Sequence, residues 1–136
     1  MLTELEKYHL ELPSSVEQIN KVEQLVDALK EDLAFSDEIY GNMIVSITEA
    51  VNNAIIHGNG QDETKKVSVR LATDANHLIF VIEDEGKGFD YNNLPDPTAP
   101  ENLEKPTGRG VFLMKNLSDM VIFNEAGNQV EIHFKL

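Results

Sequence analysis

The sequence predicts an α+β fold, a two-layer α/β sandwich with strands in one layer and helices in the other. Three observations predict it. Two long stretches near the start have helical spacing, alternating strand patterns come in pairs, and a segment rich in glycine and proline precedes a last helix. The resulting order β-α-α-β-β-loop-α-β-β groups the strands in hairpins, which favours this sandwich over a parallel doubly wound sheet.

The composition fits one soluble globular domain over residues 1–136. Apolar residues make up 41% and aromatic residues 7%, and the chain is long enough for a single core. The net charge of −13 disfavours direct contact with nucleic-acid phosphates. The chain has no cysteine, which excludes disulfides, thiolate zinc sites and a cysteine nucleophile. Neither a signal-peptide pattern nor a membrane-spanning apolar run occurs, so we expect a cytoplasmic protein.

The first elements are predicted to be an edge strand and an amphipathic helix. Residues 7–12 alternate weakly and end at Pro13. Ser14 and Glu17 have the spacing of a capping box, in which the serine side chain caps the helix start. Apolar residues behind them keep helical spacing, so we expect a helix over 15–34.

A second helix and a hairpin are predicted next. Ser36 can cap a helix over roughly 37–57, which the run His-Gly-Asn-Gly at 57–60 would end. Two alternating stretches separated by a polar turn then predict a β-hairpin over 65–83.

The segment 83–108 has no regular hydrophobic period and is rich in glycine and proline. A structureless segment of this length inside a compact domain is usually a functional lid or binding loop, and we expect the lid at roughly 91–107. A short helix over 111–117 and two strands over 120–124 and 130–136 are predicted to complete the domain.

The second predicted helix has an unusual polar face near its end. Glu49 and Asn53 are four residues apart, so their side chains share one face with Asn52 and Ile56. The opposite face is an ordinary core stripe. A carboxylate beside an amide on a half-apolar face suits a base next to a metal-bound oxygen. A solvated polar face is the commoner meaning of this spacing.

A second candidate site follows the predicted hairpin. Asp84 stands directly after a strand, and Gly86 and Gly88 permit close approach of the backbone to a ligand. A carboxylate at this place can accept a hydrogen bond from an exocyclic amine such as that of adenine. A plain turn is the simpler interpretation of these residues.

A third candidate site precedes the last predicted helix. Glycines before a helix start expose backbone N–H groups and the positive end of the helix dipole, which together form an anion site. The segment is neither a P-loop nor a Rossmann fingerprint, because neither spacing occurs. The residues of this segment are Thr107, Gly108, Arg109 and Gly110.

The order of the three candidate sites is more specific than any one of them. A helical Glu-x-x-x-Asn, a post-strand Asp-x-Gly-x-Gly and a Gly-x-Gly before a helix resemble the GHKL superfamily, whose ATP-binding unit is the Bergerat fold. The boxes at 49–58, 83–90 and 108–119 are most similar to the anti-sigma factor serine/threonine kinase branch. The resemblance covers nearly the whole chain. It implies a mixed, mostly antiparallel sheet covered on one face by helices.

The resemblance implies a role for each motif. Asn53 would ligate the Mg²⁺ of bound ATP, and Glu49 would be the general base. Asp84 would bind the adenine amino group, with Gly86 and Gly88 shaping the base pocket. The residues expected to close over the phosphates are Thr107, Gly108, Arg109 and Gly110.

One position departs from the family pattern. Members often carry Gly-Thr in the last hairpin, with the threonine near adenine, whereas here Gly127 is followed by Asn128, so that adenine contact is open. Asn52 and His57 belong to the first box, and either could be purely structural. For His57, a capping role at the negative end of the helix dipole is the simpler interpretation.

The resemblance implies a serine/threonine protein kinase that uses ATP and Mg²⁺ to phosphorylate a small STAS-type antagonist protein. The expected partners are a sigma factor, the antagonist or both, and a homodimer is open because this branch is commonly dimeric. One alternative is a non-catalytic module in which ATP gates partner binding. Another is the catalytic half of a two-component system acting in trans. Glu49 does not separate a kinase from an ATPase, because hydrolases of this fold use the same glutamate.

Overall fold

The computed structural model describes residues 2–74, 76–88 and 106–136, with side chains in the last range described from residue 109. The regular elements of these ranges are, in chain order, β1 (Thr3–Glu4), β2 (Leu10–Pro13), α1 (Ile19–Leu33), α2 (Asp37–Asn53), β3 (Lys66–Asp74), β4 (His77–Glu83), α3 (Pro106–Leu117), β5 (Met120–Phe123) and β6 (Gln129–Lys135). None of the helices described is long and apolar enough to cross a membrane.

The described strands form one sheet in the order β1-β3-β4-β6-β5. β2 also pairs with β3, along a different part of that strand from β1. Each pairing among them is antiparallel. The hairpin predicted over 65–83 is confirmed, with Leu71 opposite Phe80 in register. The two closing strands are also confirmed, and β6 lies between β4 and β5.

The core lies between the sheet and the helices. One face of each long strand is buried, as at Val69, Phe80 and Ile132, because successive side chains of a strand point to opposite faces. Val26 and Ile47 supply buried side chains from α1 and α2. The two-layer α+β sandwich predicted from the sequence is therefore confirmed.

The start of the chain differs from the single edge strand predicted at 7–12. A 3₁₀ turn at Glu6–Tyr8 divides the edge, so that β1 and β2 pair with separate parts of β3. The Tyr8 ring is buried, and its hydroxyl donates a hydrogen bond to Asp32 of α1. Burial of this ring accounts for the interruption of the edge.

The capping box predicted at Ser14 and Glu17 is wrong. α1 begins at Ile19 after a 3₁₀ turn at Val16–Gln18, and neither start has a side-chain cap. Ser14 is fully buried, and its hydroxyl donates to the backbone carbonyl of Lys65 at 2.7 Å. A buried hydroxyl requires a hydrogen-bond partner, and here the partner is distant in sequence.

The second helix has the predicted extent within one residue, but its last turn is π-helical. The Ser36 hydroxyl accepts a hydrogen bond from the backbone N–H of Ile39 at 3.2 Å, so Ser36 caps α2. α2 is α-helical to Asn53 and continues as a π-helical turn over Ala54–Gly58. The N–H of Asn59 donates to the carbonyl of Ala54 at 2.8 Å and closes that turn. Such π turns occur frequently at functional sites.

The last helix begins five residues earlier than predicted. α3 starts at Pro106, because proline is tolerated at the first helical position, where an N–H would have no partner in the helix. The Gly-x-Gly of 108–110 therefore lies within the first turns of α3 and not before it. The predicted lid at 91–107 falls outside the described residues, except for its last two positions, which belong to α3.

Candidate active site

A cleft opens between the end of α2, the buried side of α3 and the neighbouring ends of β4 and β6. The empty space between its lining atoms is about 560 Å³, counting the part open to solvent. Its apolar walls include Ile82, Val111, Met114 and Val130. Its polar lining includes Asn53, His57, Asp84, Asn128 and Gln129. The structure therefore brings members of the first two predicted motifs into one cleft.

Asp84 enters the cleft directly after β4. Burial raises the pKa of its carboxyl above the usual aspartate value, and the hydrogen bond from the Gly86 N–H to Oδ1 at 2.7 Å acts in the opposite direction. A Cβ atom at Gly58 would overlap this carboxylate, and one at Gly86 would overlap the Gly58 carbonyl. The end of the π turn and the loop after β4 are thus packed without space for side chains.

Gly88 meets the turn between β5 and β6. Its φ is +84°, which favours glycine, and a Cβ atom there would overlap the carbonyl of Ala126. The predicted role of Gly88 in shaping a pocket fits this place, because Gly88 lines the cleft. Gly86 lies behind Asp84, where it packs against Gly58.

Glu49 and Asn53 meet α3 at the same point. A Cβ atom built on Gly110 would lie 2.8 Å from Asn53 Nδ2 and 3.1 Å from Glu49 Oε2. Gly110 is buried, while the two polar residues are half-buried. The absence of a side chain at Gly110 therefore lets the backbone of α3 approach both groups, and the first and third predicted motifs come together.

The remaining residues of the third motif lie in the first turns of α3. Arg109 is exposed, and the side chain of Thr107 lies outside the described part. The first backbone N–H groups of an α-helix have no acceptor within the helix. Phosphate binding by this segment remains a prediction, placed now at a helix N-terminus instead of a preceding loop.

The turn between β5 and β6 is organised by two asparagine side chains. Asn124 Oδ1 accepts from the N–H of Gly127 at 2.8 Å, and Asn124 Nδ2 donates to Asn128 Oδ1 at 2.7 Å. Asn128 Nδ2 donates to the Gly86 carbonyl at 3.2 Å. Asn128 stands where many family members carry a threonine. Its side chain therefore connects this turn to the loop after β4.

Sequence reasoning missed Asn59. It stands in the run predicted only to end a helix, yet its side chain is buried, with 3% of the residue exposed. Its amide contacts the N-terminal segment, the start of β3 and the loop after β4. The partners are as far as 45 residues away, so no local pattern indicates them.

The sequence from residue 12 to 134 matches the family model described as "Histidine kinase-like ATPase domain". The chain belongs to this family. Membership implies the use of ATP, and the matched range contains all three motifs.

Several similar proteins are named as kinases. A "Serine-protein kinase RsbW" of Oceanobacillus iheyensis is 25% identical over a match that covers 85% of this chain and 77% of the relative. Proteins of the same name from Bacillus cereus and Bacillus anthracis are each 24% identical over a match that covers 96% of this chain and 85% of the relative. The resemblance to the GHKL superfamily and its anti-sigma kinase branch is confirmed.

Proposed function

We propose that this chain is a serine/threonine protein kinase that transfers the γ-phosphoryl group of ATP to a hydroxyl of a small STAS-type antagonist. The observation that carries the proposal is the convergence of Glu49 and Asn53 on Gly110 at the start of α3. It places a carboxylate and an amide beside a helix N-terminus, where phosphate groups bind well. The family and the names of the relatives support the same activity.

The cleft suits an adenine base. Asp84 presents a half-buried carboxylate that can accept a hydrogen bond from the 6-amino group. The apolar side chains of Ile82, Val111 and Met114 offer a surface for the faces of the ring. Gly88 lines the same cleft without a side chain. We assign adenine recognition to Asp84, with Gly86 and Gly88 shaping the pocket.

The other motif residues suit the phosphates and a magnesium ion. The amide oxygen of Asn53 is a hard ligand of the type Mg²⁺ prefers, and the absence of a side chain at Gly110 brings the backbone of α3 close to that amide. A magnesium ion held by Asn53 and the phosphates would offset the charge of the transferred group. Phosphate contacts would come from the α3 start, at Thr107, Gly108, Arg109 and Gly110.

Glu49 is proposed as the general base. Its carboxylate would accept the proton of the partner's hydroxyl as that oxygen attacks the γ-phosphorus. The bond from the γ-phosphorus to the bridging oxygen breaks, and ADP leaves with that electron pair. The products are a phosphoserine or phosphothreonine on the partner and ADP, and the proton on Glu49 returns to solvent.

The proposed setting is cytoplasmic regulation of transcription. Residues 1–136 would act as one ATP-binding domain, with a sigma factor, its antagonist or both as protein partners. Direct contact with nucleic acid is disfavoured by the net charge of −13. A homodimer is the expected assembly, because the anti-sigma kinase branch is commonly dimeric.

The test is incubation of the purified chain with γ-labelled ATP, Mg²⁺ and candidate antagonists encoded near it. We expect label on one serine or threonine of one antagonist, mapped by mass spectrometry. Tight Mg·ATP binding with no transfer to any candidate would contradict the kinase and favour an ATP-gated binding module. Label on a histidine of a helical-hairpin protein would instead favour the two-component alternative.

A further inference from the structure

Three successive backbone N–H groups after β4 have separate acceptors. The N–H of Asp84 donates to the carbonyl of Asn128 at 3.0 Å, and that of Gly86 donates to the Asp84 carboxylate at 2.7 Å. Between them, the N–H of Glu85 donates to Oδ1 of Asn59 at 2.8 Å. The peptide that follows Asp84 is therefore held by the side chain of Asn59, the residue that follows the π turn.

The Asn59 amide is itself fixed in orientation. Its Nδ2 donates to the Ser14 hydroxyl at 2.9 Å and to the Lys66 carbonyl at 3.0 Å. Both amide hydrogens thus have acceptors, which leaves Oδ1 to face the N–H of Glu85. Ser14 in turn donates to the carbonyl of Lys65 at 2.7 Å. With 3% of Asn59 exposed, water competes little for these bonds.

Asn59 also stands next to the helix that carries the proposed catalytic groups. Its backbone N–H closes the π turn that follows Asn53. Its neighbour Gly58 packs against the Asp84 carboxylate with no space for a Cβ atom. One side chain therefore links the end of α2 to the loop that carries Asp84.

We propose that Asn59 is a positioning residue for base recognition, which sets the place of the Asp84 carboxylate and thereby selects the 6-amino group of adenine. The proposal rests on the proposed function, because it requires ATP in this cleft. Without Oδ1 of Asn59, the part-buried N–H of Glu85 would lose its protein acceptor. Such a group reorients toward water or another acceptor, and the adjoining peptide of Asp84 would rotate with it.

The test compares the affinities of ATP and inosine triphosphate, which carries an oxygen in place of the 6-amino group. Asn59→Ala should lower ATP affinity about tenfold, the order expected for one misplaced hydrogen bond. Affinity for inosine triphosphate should change little. The selectivity ratio, which is the affinity for ATP divided by that for inosine triphosphate, should therefore fall. Ser14→Ala is the matched control, because it removes a buried partner of Asn59 but leaves the bond to Glu85. It should lower the melting temperature and keep the ratio.

A double-mutant cycle separates positioning from general stability. In an Asp84→Ala background, Asn59→Ala should cause no further loss of ATP affinity, because the group it positions is gone. An unchanged selectivity ratio in Asn59→Ala, or additive losses in the double variant, would overturn the positioning role. A wild type that binds both nucleotides equally would instead overturn adenine recognition by Asp84, which is part of the proposed function.

Two further measurements keep the inference testable if Asn59→Ala does not fold. Asn59→Ser is smaller and polar, so water can satisfy its neighbours, and it should show the same fall in selectivity. In the wild type, the amide of Glu85 should be protected from hydrogen exchange, because its acceptor is buried. Fast exchange of that amide in the folded protein would overturn the inference without any variant.

Discussion

Gly110→Ala adds one methyl group at the point where α3 meets the two catalytic candidates of α2. The new carbon would lie 2.8 Å from Asn53 Nδ2 and 3.1 Å from Glu49 Oε2, whereas ordinary contacts begin at 3.4 Å. Restoring that distance requires shifts of about 0.6 Å and 0.3 Å. Both contacts are to the ends of side chains, so these groups can move aside without unfolding the protein.

Stability and activity should therefore respond in opposite ways. Alanine is favoured over glycine inside a helix by about 0.8–1.0 kcal/mol, so Gly110→Ala should unfold at the same or a higher denaturant concentration. Misplacement of catalytic groups by about 1 Å can cost 10²-fold in rate. For the smaller shifts here, we expect phosphoryl transfer to fall roughly 10- to 100-fold.

Gly41→Ala supplies the matched control. Gly41 also lies inside a helix, α2, and nothing is within 4 Å of a Cβ atom placed there. It should gain similar helix stability and keep full activity. The assays are urea unfolding and transfer of labelled phosphate to the antagonist. Full activity of Gly110→Ala would refute the reasoning, because the displaced side chains of Glu49 and Asn53 would then not take part in phosphoryl transfer.

Three further predictions concern Asn53 and Asp84, which line the cleft. Asn53→Ala should weaken Mg·ATP binding much more than metal-free ATP binding, and equal losses in magnesium and in EDTA would make Asn53 structural. Asp84→Asn should cost about 1–3 kcal/mol in ATP affinity, and the wild type should bind GTP poorly; equal competition by the two nucleotides would contradict this. ATP affinity, measured by calorimetric titration, should fall on acidification at a higher pH than for an ordinary aspartate, because burial raises the pKa of Asp84. An affinity that is constant down to the usual aspartate range would contradict that role. The effect of pH on folding has the opposite sign. Because the pKa of Asp84 is higher in the folded than in the unfolded state, the free energy of unfolding decreases as the pH rises through the interval between these two pKa values.

The features predicted correctly from the sequence are those set by local physics. The cap at Ser36 needs only an N–H three residues away, and the 65–83 hairpin follows from alternation and a turn. The three motif boxes could be found because their residue types are specific in combination. Their meeting in space required the fold, as shown by Gly110 beside Glu49.

The predictions that the structure corrects concern residues whose partners are distant in sequence or for which two local rules compete. The pattern at Ser14 satisfies a local capping rule, but its hydroxyl donates instead to the carbonyl of Lys65, 51 residues away. The start of α3 was predicted too late because glycines are poor helix formers, whereas Pro106 fits the first helical position and the buried residues Gly110 and Val111 pack inward. Asn59 was missed because its partners come from three separate segments.

The most direct measurement of the central claim is phosphate transfer by Glu49→Gln, with Mg·ATP affinity measured on the same sample. Glutamine keeps the size and most hydrogen bonds of glutamate but cannot accept the proton. Binding should stay close to that of the wild type, while transfer to the partner's hydroxyl should fall by roughly 10²–10⁴-fold, the usual contribution of a general base. The ATP-dependent complex with the partner should then persist. Transfer by Glu49→Gln at the wild-type rate would contradict the assignment of Glu49 as the base.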